Sequence, residues 1–260
     1  MPMINELFSV AGKTVFITGG SRGIGYMMAH GFVAAGARVY ICSRKQAVCD
    51  AAAAELSKLG TCISLPADLG KMSEVERVAT ELLAREEKLH VLINNAGATW
   101  GSTIDAFPEA GWDKVMDLNV KSPFFMLQKL LPALDRAARA DDPARVINVG
   151  SVDGMHTPLF ENFSYAPSKA ALHHLTRMLA AHLAKRHINV NCIAPGPFDT
   201  DMMRPMVTSM GLAGVTANVP MGRMGDGKDA AGVAIFLASR ASAYVTGTVL
   251  PVDGGLFGAS

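Results

Sequence analysis

Charge is scarce in this chain. Asp, Glu, Lys and Arg make up 18% of its 260 residues, against roughly a quarter in ordinary soluble domains. They nearly cancel, leaving a formal net charge of +1. Such a balance gives nucleic acid or an anionic membrane surface little field to respond to. Cysteine is sparse as well. Cys42, Cys49, Cys62 and Cys192 form no C-x-x-C pair, which suits small apolar filler in a reducing compartment better than a disulfide framework. The seven histidines show no H-x-x-x-H or H-E-x-x-H spacing, so a zinc site is not expected. His173 and His174 would project about 100° apart on a helix and so face two different surfaces. No stretch approaches ~20 uninterrupted apolar residues, and the opening MPMINELFSVAGKT carries neither a basic run nor a long apolar one. These absences leave a soluble cytoplasmic protein without metal, membrane or nucleic-acid partner as the expectation. There is no internal repeat, low-complexity tract or linker, so residues 1–260 read as one domain.

What the chain does have is apolar residues, at 50%, and 25 glycines. That is enough for one large α/β domain with a sizeable core. Low charge with high apolar content fits either burial between subunits or a compact monomer with a plain surface. Short β-branched runs occur at 14–19 (TVFITG), 38–43 (RVYICS), 61–68 (TCISLPAD), 90–97 (HVLINNAG), 145–151 (RVINVGS), 188–196 (INVNCIAPG) and 248–255 (TVLPVDGG). They alternate little between apolar and polar, as strands of a parallel sheet buried on both faces do. Ala-, Leu- and Glu-rich helical patterns separate them, including GYMMAHGFVAAGA, CDAAAAELSKLG, EVERVATELLAREEK, the long WDKVMDLNVKSPFFMLQKLLPALDRAARA and DAAGVAIFLAS. The alternation predicts right-handed βαβ units, hence an α/β Rossmann-type fold with a doubly wound, seven-stranded parallel sheet and helices on both faces. Residues 197–225 break the rhythm with Gly, Pro and six methionines. A long connection after a strand's carboxyl end suits a substrate lid; the alternative is that the methionines pack a small helix pair onto the body.

The first strand runs into TGGSRGIG (18–25) and then a helix. Gly19, Gly23 and Gly25 would let the backbone turn sharply and approach a pyrophosphate at the helix N-terminus. After the second strand, where an NAD-preferring chain carries an acidic residue, stand Ser43 and Arg44. Together with Arg22 in the glycine loop they suit the 2′-phosphate of NADP; Arg44 could equally be a solvated residue opening the next helix. Asp68 either caps the following segment or receives the adenine amine. NNAG (94–97) closes the fourth strand with small residues that a cofactor can lie over, although Asn94 and Asn95 are also turn formers. Tyr165 and Lys169 sit four apart on one helix face, a spacing that decides nothing by itself.

In combination these motifs resemble the short-chain dehydrogenase/reductase family over essentially the whole length. The resemblance rests on TGGSRGIG, NNAG, LNV with Asn119, VGS with Ser151, YAPSK with Tyr165 and Lys169, APGPFDT and the terminal VDGG. Within that family the chain is most similar to bacterial β-ketoacyl (3-oxoacyl) reductases of the rhamnolipid-pathway type. The resemblance implies Asn119, Ser151, Tyr165 and Lys169 as the catalytic set. Tyr165 would donate a proton to the substrate carbonyl, Lys169 and an oxidised nicotinamide would favour its phenolate, Ser151 would hold the carbonyl oxygen, and Asn119 would place a water linking Lys169 to solvent. Read alone, Ser151 is a strand-end cap and Asn119 a satisfied helix polar group. The resemblance also extends the NADP(H) contacts to Ser21, Ile24, Leu69, Asn95, Ala96, Gly97, Pro195, Gly196, Phe198 and Thr200, with Tyr165 and Lys169 on the nicotinamide side. It implies a homotetramer, with helices 110–134 and 165–184 and the tail VDGGLFGAS at the interfaces.

The implied activity is NADPH-dependent reduction of a ketone to a secondary alcohol, on a 3-oxoacyl thioester or similar apolar carbonyl. The alternative substrate is a cyclic, steroid-like or xenobiotic alcohol or ketone. Lys129, Arg136, Arg139 and Arg204 are the cations available to dock an acyl carrier. A nucleotide-sensing protein without catalysis is the rival from another class, and the intact four-residue set argues against it. The thirteen residues between Ser151 and Tyr165, one more than in many relatives, border the cleft, and Asp153, His156 and Phe160 among them could shape specificity.

Overall fold

A computed structural model describes residues 3–158 and 160–258. The ends of the opening segment and of VDGGLFGAS, with residue 159 of the loop before Tyr165, lie outside the described residues. The elements run α1 (Ile4–Leu7), β1 (Thr14–Thr18), α2 (Gly23–Ala34), β2 (Arg38–Cys42), α3 (Gln46–Leu56), β3 (Thr61–Ser64), α4 (Met72–Arg85), β4 (Val91–Asn94), α5 (Glu109–Met116), a π turn (Asp117–Lys121), α6 (Ser122–Ala137), β5 (Ala144–Val149), α7 (Tyr165–Leu183), β6 (Ile188–Pro195), α8 (Arg204–Thr216), α9 (Gly227–Ala238) and β7 (Val249–Val252). The strands form one sheet in the order β3-β2-β1-β4-β5-β6-β7, and every neighbouring pair is parallel.

The seven expected strands are all present, shorter at their carboxyl ends than the apolar runs suggested. β1 stops before Gly19, β3 before Leu65 and β4 before Asn95, so the residues of interest lie on the loops that leave the sheet. Each central strand feeds two cores. Val15, Ile17, Val39, Ile41, Val91 and Ile93 pack against α2, α3 and α9. Phe16, Tyr40, Cys42 and Leu92, the residues between, pack against α4, α6 and α7. Alternation of direction along a strand with apolar residues in both directions is what made the runs look unpatterned.

Strand order reverses between β1 and β4, which places the two loops following them at the crevice where open α/β sheets hold ligands. The long helical pattern after residue 109 is continuous but interrupted by the π turn, whose middle residue is the buried Asn119. Pro123 follows directly after the π turn as the second residue of α6. Among the described residues no helix is long and apolar enough to cross a membrane, and no cluster of three His, Cys, Asp or Glu side chains is placed to hold a metal.

Candidate active site

The glycine loop is built by close approach. Gly19 adopts φ +68°, and a Cβ there would fall 2.8 Å from Asn95 Nδ2 and 3.0 Å from Ala96 Cα. The Asn95 amide nitrogen donates to the carbonyls of Thr18 (2.8 Å) and Gly19 (3.2 Å), while the Thr18 hydroxyl accepts from the backbone N–H of Asn95 and of Ala96, both at 3.0 Å. Asn95 therefore stitches β1 to β4. Asn94 turns into the sheet and donates to Asn148 Oδ1 at 2.9 Å. α2 then starts at Gly23 with no side chain capping it, so its first N–H groups stay open to an anion.

Around that helix end, Arg22, Gly23, Tyr26, Met27, Asp199, Thr200, Asp201 and Arg204 line a cleft of about 350 Å³. Arg22 thus faces the root of the 197–225 segment, whereas Arg44 is exposed after β2. Ser43 has a buried hydroxyl with no full hydrogen bond, only a weak contact with the Cys49 thiol. Asp68 accepts from the N–H of Gly70 at 3.3 Å and turns the chain, while α4 takes Lys71 at its cap position. Leu69 is buried in the core, so its side chain is not on the crevice. Ile24 packs partly on the opposite core. Gly196 follows β6 and bonds back to Val252 (N–H to O, 3.0 Å). Phe198 is buried and bridges to Gly225.

The four expected catalytic residues converge at the carboxyl ends of β4 and β5. Asn119 is buried; its Oδ1 accepts from Ala98 N–H at 2.8 Å, and its Nδ2 donates to Ala98 O at 3.0 Å and to Ser168 Oγ at 2.9 Å. The Ser168 hydroxyl in turn donates to Tyr165 O at 2.6 Å. Asn119 is thus a fully engaged side chain that ties the NNAG loop to the start of α7. Gly97 lies at the centre, where a Cβ would be 3.3 Å from Asn119 Oδ1 and 3.5 Å from Lys169 Nζ. Buried Lys169 donates to the Val149 carbonyl at 2.8 Å, and its Nζ stands 5.6 Å from the Tyr165 ring centre. Ser151 Oγ accepts from Asp153 N–H at 3.1 Å and hydrogen-bonds the Tyr165 phenol.

Burial dominates the electrostatics. It pushes the Tyr165 phenol up to about 12, with the Ser151 hydroxyl pulling down and the Asp153 carboxylate pushing further up. It brings the Lys169 ammonium down to about 8, with Cys192 and Asp153 opposing. Asp153 itself is raised, chiefly by burial, with His156 and Lys169 holding it back. The tuning of Tyr165 towards phenolate that the resemblance implies includes the charge of an oxidised nicotinamide; in the protein alone burial dominates.

Two functional neighbours escaped the sequence reading. Ser168 sits between Tyr165 and Lys169 as an unremarked serine. His173 is buried beneath the Ser151 turn while His174 is exposed, so the expected divergence of the pair is right and its purpose was hidden. The 197–225 segment does hold short helices: α8 is broken at Gly211 (φ 72°). Met202, Met210 and Met221 are exposed, so these three methionines do not serve to pack it down.

A family model described as Enoyl-(Acyl carrier protein) reductase matches residues 19–257. The rhamnolipids biosynthesis 3-oxoacyl-[acyl-carrier-protein] reductase of Pseudomonas aeruginosa is 49% identical over 97% of this chain and 99% of its own. The 5-keto-D-gluconate 5-reductase of Escherichia coli is 33% identical over 97% of this chain and 98% of its own. Among solved structures, a Pseudomonas aeruginosa RhlG/NADP active-site complex superposes with a TM-score of 0.94 at 48% identity, covering 97% of this chain and 99% of that one. A short-chain type dehydrogenase/reductase from Mycobacterium marinum gives 0.88 at 28% identity, covering 96% and 98%.

Proposed function

The chain belongs to the short-chain dehydrogenase/reductase family, and from that membership we propose that it is an NADP(H)-dependent oxidoreductase that reduces an apolar ketone to a secondary alcohol, with Tyr165 as proton donor. The observation carrying the reading is the convergence of Asn119, Ser151, Tyr165 and Lys169 around Gly97, where the strand order reverses.

The crevice fits the cofactor. α2 presents an uncapped N-terminus to a pyrophosphate, Gly19 at φ +68° turns the chain from β1 into that helix, and the Ser43 hydroxyl, held only by its weak contact with the Cys49 thiol, stands beside Arg44. Gly19, Ser21, Gly23, Gly25, Asn95, Ala96, Pro195, Gly196 and Thr200 would line it through backbone and small side chains. Ile24, Leu69 and Phe198 would contribute backbone only. When bound, NADPH supplies the hydride that the carbonyl carbon receives.

The protein's own residues handle the oxygen. Ser151 Oγ accepts from the Asp153 N–H, so its proton is free for the substrate carbonyl or the phenol. A phenol near 12 is fully protonated at neutral pH, the state a donor needs. As the proton leaves Tyr165 Oη for the developing alkoxide, the phenolate is stabilised by the Lys169 cation and the Ser151 hydroxyl. Lys169, held on the Val149 carbonyl, would reach the ribose and relay protons past Asn119.

The cleft favours an uncharged substrate. The Asp153 carboxylate beside the Ser151–Tyr165 pair would repel an acidic one, and exposed Met202, Met210 and Leu212 give the 197–225 segment apolar side chains to offer it. A 3-oxoacyl thioester meets these terms, consistent with the 49%-identical relative. The cations considered for carrier docking are engaged: Lys129 with Glu76 (2.8 Å), Arg136 with the Glu87 carbonyl (2.7 Å), Arg139 with Asp141 (3.3 Å) and Arg204 with Asp201 (2.9 Å). That observation favours the second reading, a cyclic, steroid-like or xenobiotic ketone. The 197–225 segment acts as lid, and exposed Trp112, Met178 and Tyr244 fit a homotetramer, which light scattering checks. NADPH oxidation measured on a carrier-bound 3-oxoacyl thioester, its free thioester and a panel of small cyclic ketones separates the readings. Tight NADPH binding without turnover of any carbonyl would defeat both.

A further inference from the structure

The Ser151 turn rests on an imidazole. His173 is 3% exposed, and its ring lies between two glycines that bracket the serine. A Cβ on Gly150 would collide with the ring edge at Nε2 and stand 2.7 Å from Cδ2, and one on Gly154 would come 2.8 Å from Cε1. His173 Nε2 accepts a long hydrogen bond from the Ser151 backbone N–H at 3.5 Å. With Nε2 accepting, the ring proton is assigned to Nδ1, and the Gly154 backbone takes the ring's other hydrogen bond. One side chain therefore spans the turn from which the Ser151 hydroxyl is presented.

We propose that His173 is a positioning residue for Ser151: its neutral imidazole fills the cradle between Gly150 and Gly154 and fixes the turn so that the serine hydroxyl meets the Tyr165 phenol. The proposal rests on the catalytic reading above. Its surroundings keep the ring neutral. Lys169 and Arg177 face it from its own helix, and Cys192 on β6 meets the same side of Gly150 as the ring. Burial comes first, and the two cations add to it, together bringing the imidazole down to about 4. A protonated ring would point a donor at the Ser151 N–H, leaving two donors opposed. A leucine of similar bulk would fill the cradle but accept nothing. The serine would then lose its fixed height, and Tyr165 would lose the hydrogen bond that draws its phenol downward.

A double-mutant cycle tests this on the full chain. His173→Leu is expected to lower kcat about 10-fold to 100-fold, with KM and NADPH affinity little changed, because small displacements of a positioned group act on the transition state. In a Ser151→Ala background the same change should cost nothing more, since the group it positions is gone. His173→Gln, whose amide oxygen can still accept from Ser151, should recover part of kcat. The Tyr165 phenol, titrated by ultraviolet difference against Tyr165→Phe, should move upward in His173→Leu and in Ser151→Ala alike. That readout needs no substrate, so it stands even if no carbonyl is turned over and the catalytic reading falls. Should the leucine variant not fold, His173→Asn, too short to reach the Ser151 N–H, enters the same cycle with the same expectation. Multiplying losses in the double variant, or an unmoved phenol, would overturn the proposal.

Discussion

Burial acts on Tyr165 and Lys169 in opposite senses, up to about 12 for the phenol and down to about 8 for the ammonium. Carbonyl reduction needs the phenol protonated, so it should run flat through neutral pH. Alcohol oxidation needs phenolate and should climb as pH rises, a contrast that initial rates in the two directions will read. Tyr165→Phe removes the transferable proton and nothing else of the ring, so reduction should fall about 10²–10⁴-fold while NADPH still binds. Full turnover by that variant would remove Tyr165 from its role. The cofactor expectation has its own residue test. Arg44→Ala should weaken NADPH binding about 10-fold to 100-fold, the size of a lost hydrogen bond between charged groups, and leave NADH binding unchanged. Equal losses for both would move the 2′-phosphate away from Arg44. Arg22, which faces the root of the 197–225 segment, carries the same expectation.

At the scale of elements, α7 must hold Tyr165, Lys169 and His173 in register with β5. A buried chain of hydrogen bonds does this: Asn94 Nδ2 to Asn148 Oδ1, Asn148 Nδ2 to Thr176 Oγ1, and Thr176 Oγ1 to the Leu172 carbonyl, at 2.9, 2.9 and 2.8 Å. Thr176→Val keeps the shape and strands the Asn148 donor, which should cost about 1–3 kcal/mol in urea unfolding; an unchanged midpoint would show the chain to be slack. The strands themselves were legible in the sequence because a strand buried on both faces can carry little but β-branched and apolar residues. Their overrun into Gly19, Pro66 and Asn95 has a physical cause as well: those tails stay near the sheet edge but leave the ladder. The four catalytic candidates were legible only through motifs in combination. The π turn at Asn119 was not, since DLNVK holds no residue that forbids an ordinary α-helix. Nor was the support from His173, because it depends on two glycines some twenty residues upstream meeting one ring. The Met-rich stretch showed its place on the crevice but not its kink at Gly211 or the buried Phe198–Gly225 bridge that closes its base.

The whole molecule has two poles. Chemistry gathers where the strands end, and a buried charge cluster gathers where they begin. There Lys13 Nζ meets both Asp142 oxygens at 2.8 and 2.9 Å and the Ala238 carbonyl at 3.2 Å, while Arg145, with no exposed surface, reaches Asp142 Oδ1 at 3.5 Å and the Ser239 carbonyl at 2.8 Å. His90 accepts from the Thr14 N–H in the same region at 2.9 Å. Burial, then Lys13, lowers its imidazole; His173 at the other pole is lowered to about 4 from 6.5. A group whose folded value is depressed is protonated first in the unfolded chain, so both histidines contribute stability above about 6.5 that drains away as pH falls, for His173 towards about 4. Thermal melts across that window should show a falling midpoint, and a flat profile would mean that neither ring is held neutral. The charge cluster allows the two poles to be separated. Asp142→Asn leaves two buried cations uncompensated, which should cost about 3–5 kcal/mol and lower the melting midpoint by about 6–20 °C. Because the cluster lies at the opposite edge of the sheet from Tyr165, kcat per folded molecule should stay at the wild-type value, as expected for sites that share no partner. A parallel loss of kcat at temperatures well below the melt would mean that strain at the base of β5 travels its length to Ser151, and that the two poles are one cooperative unit.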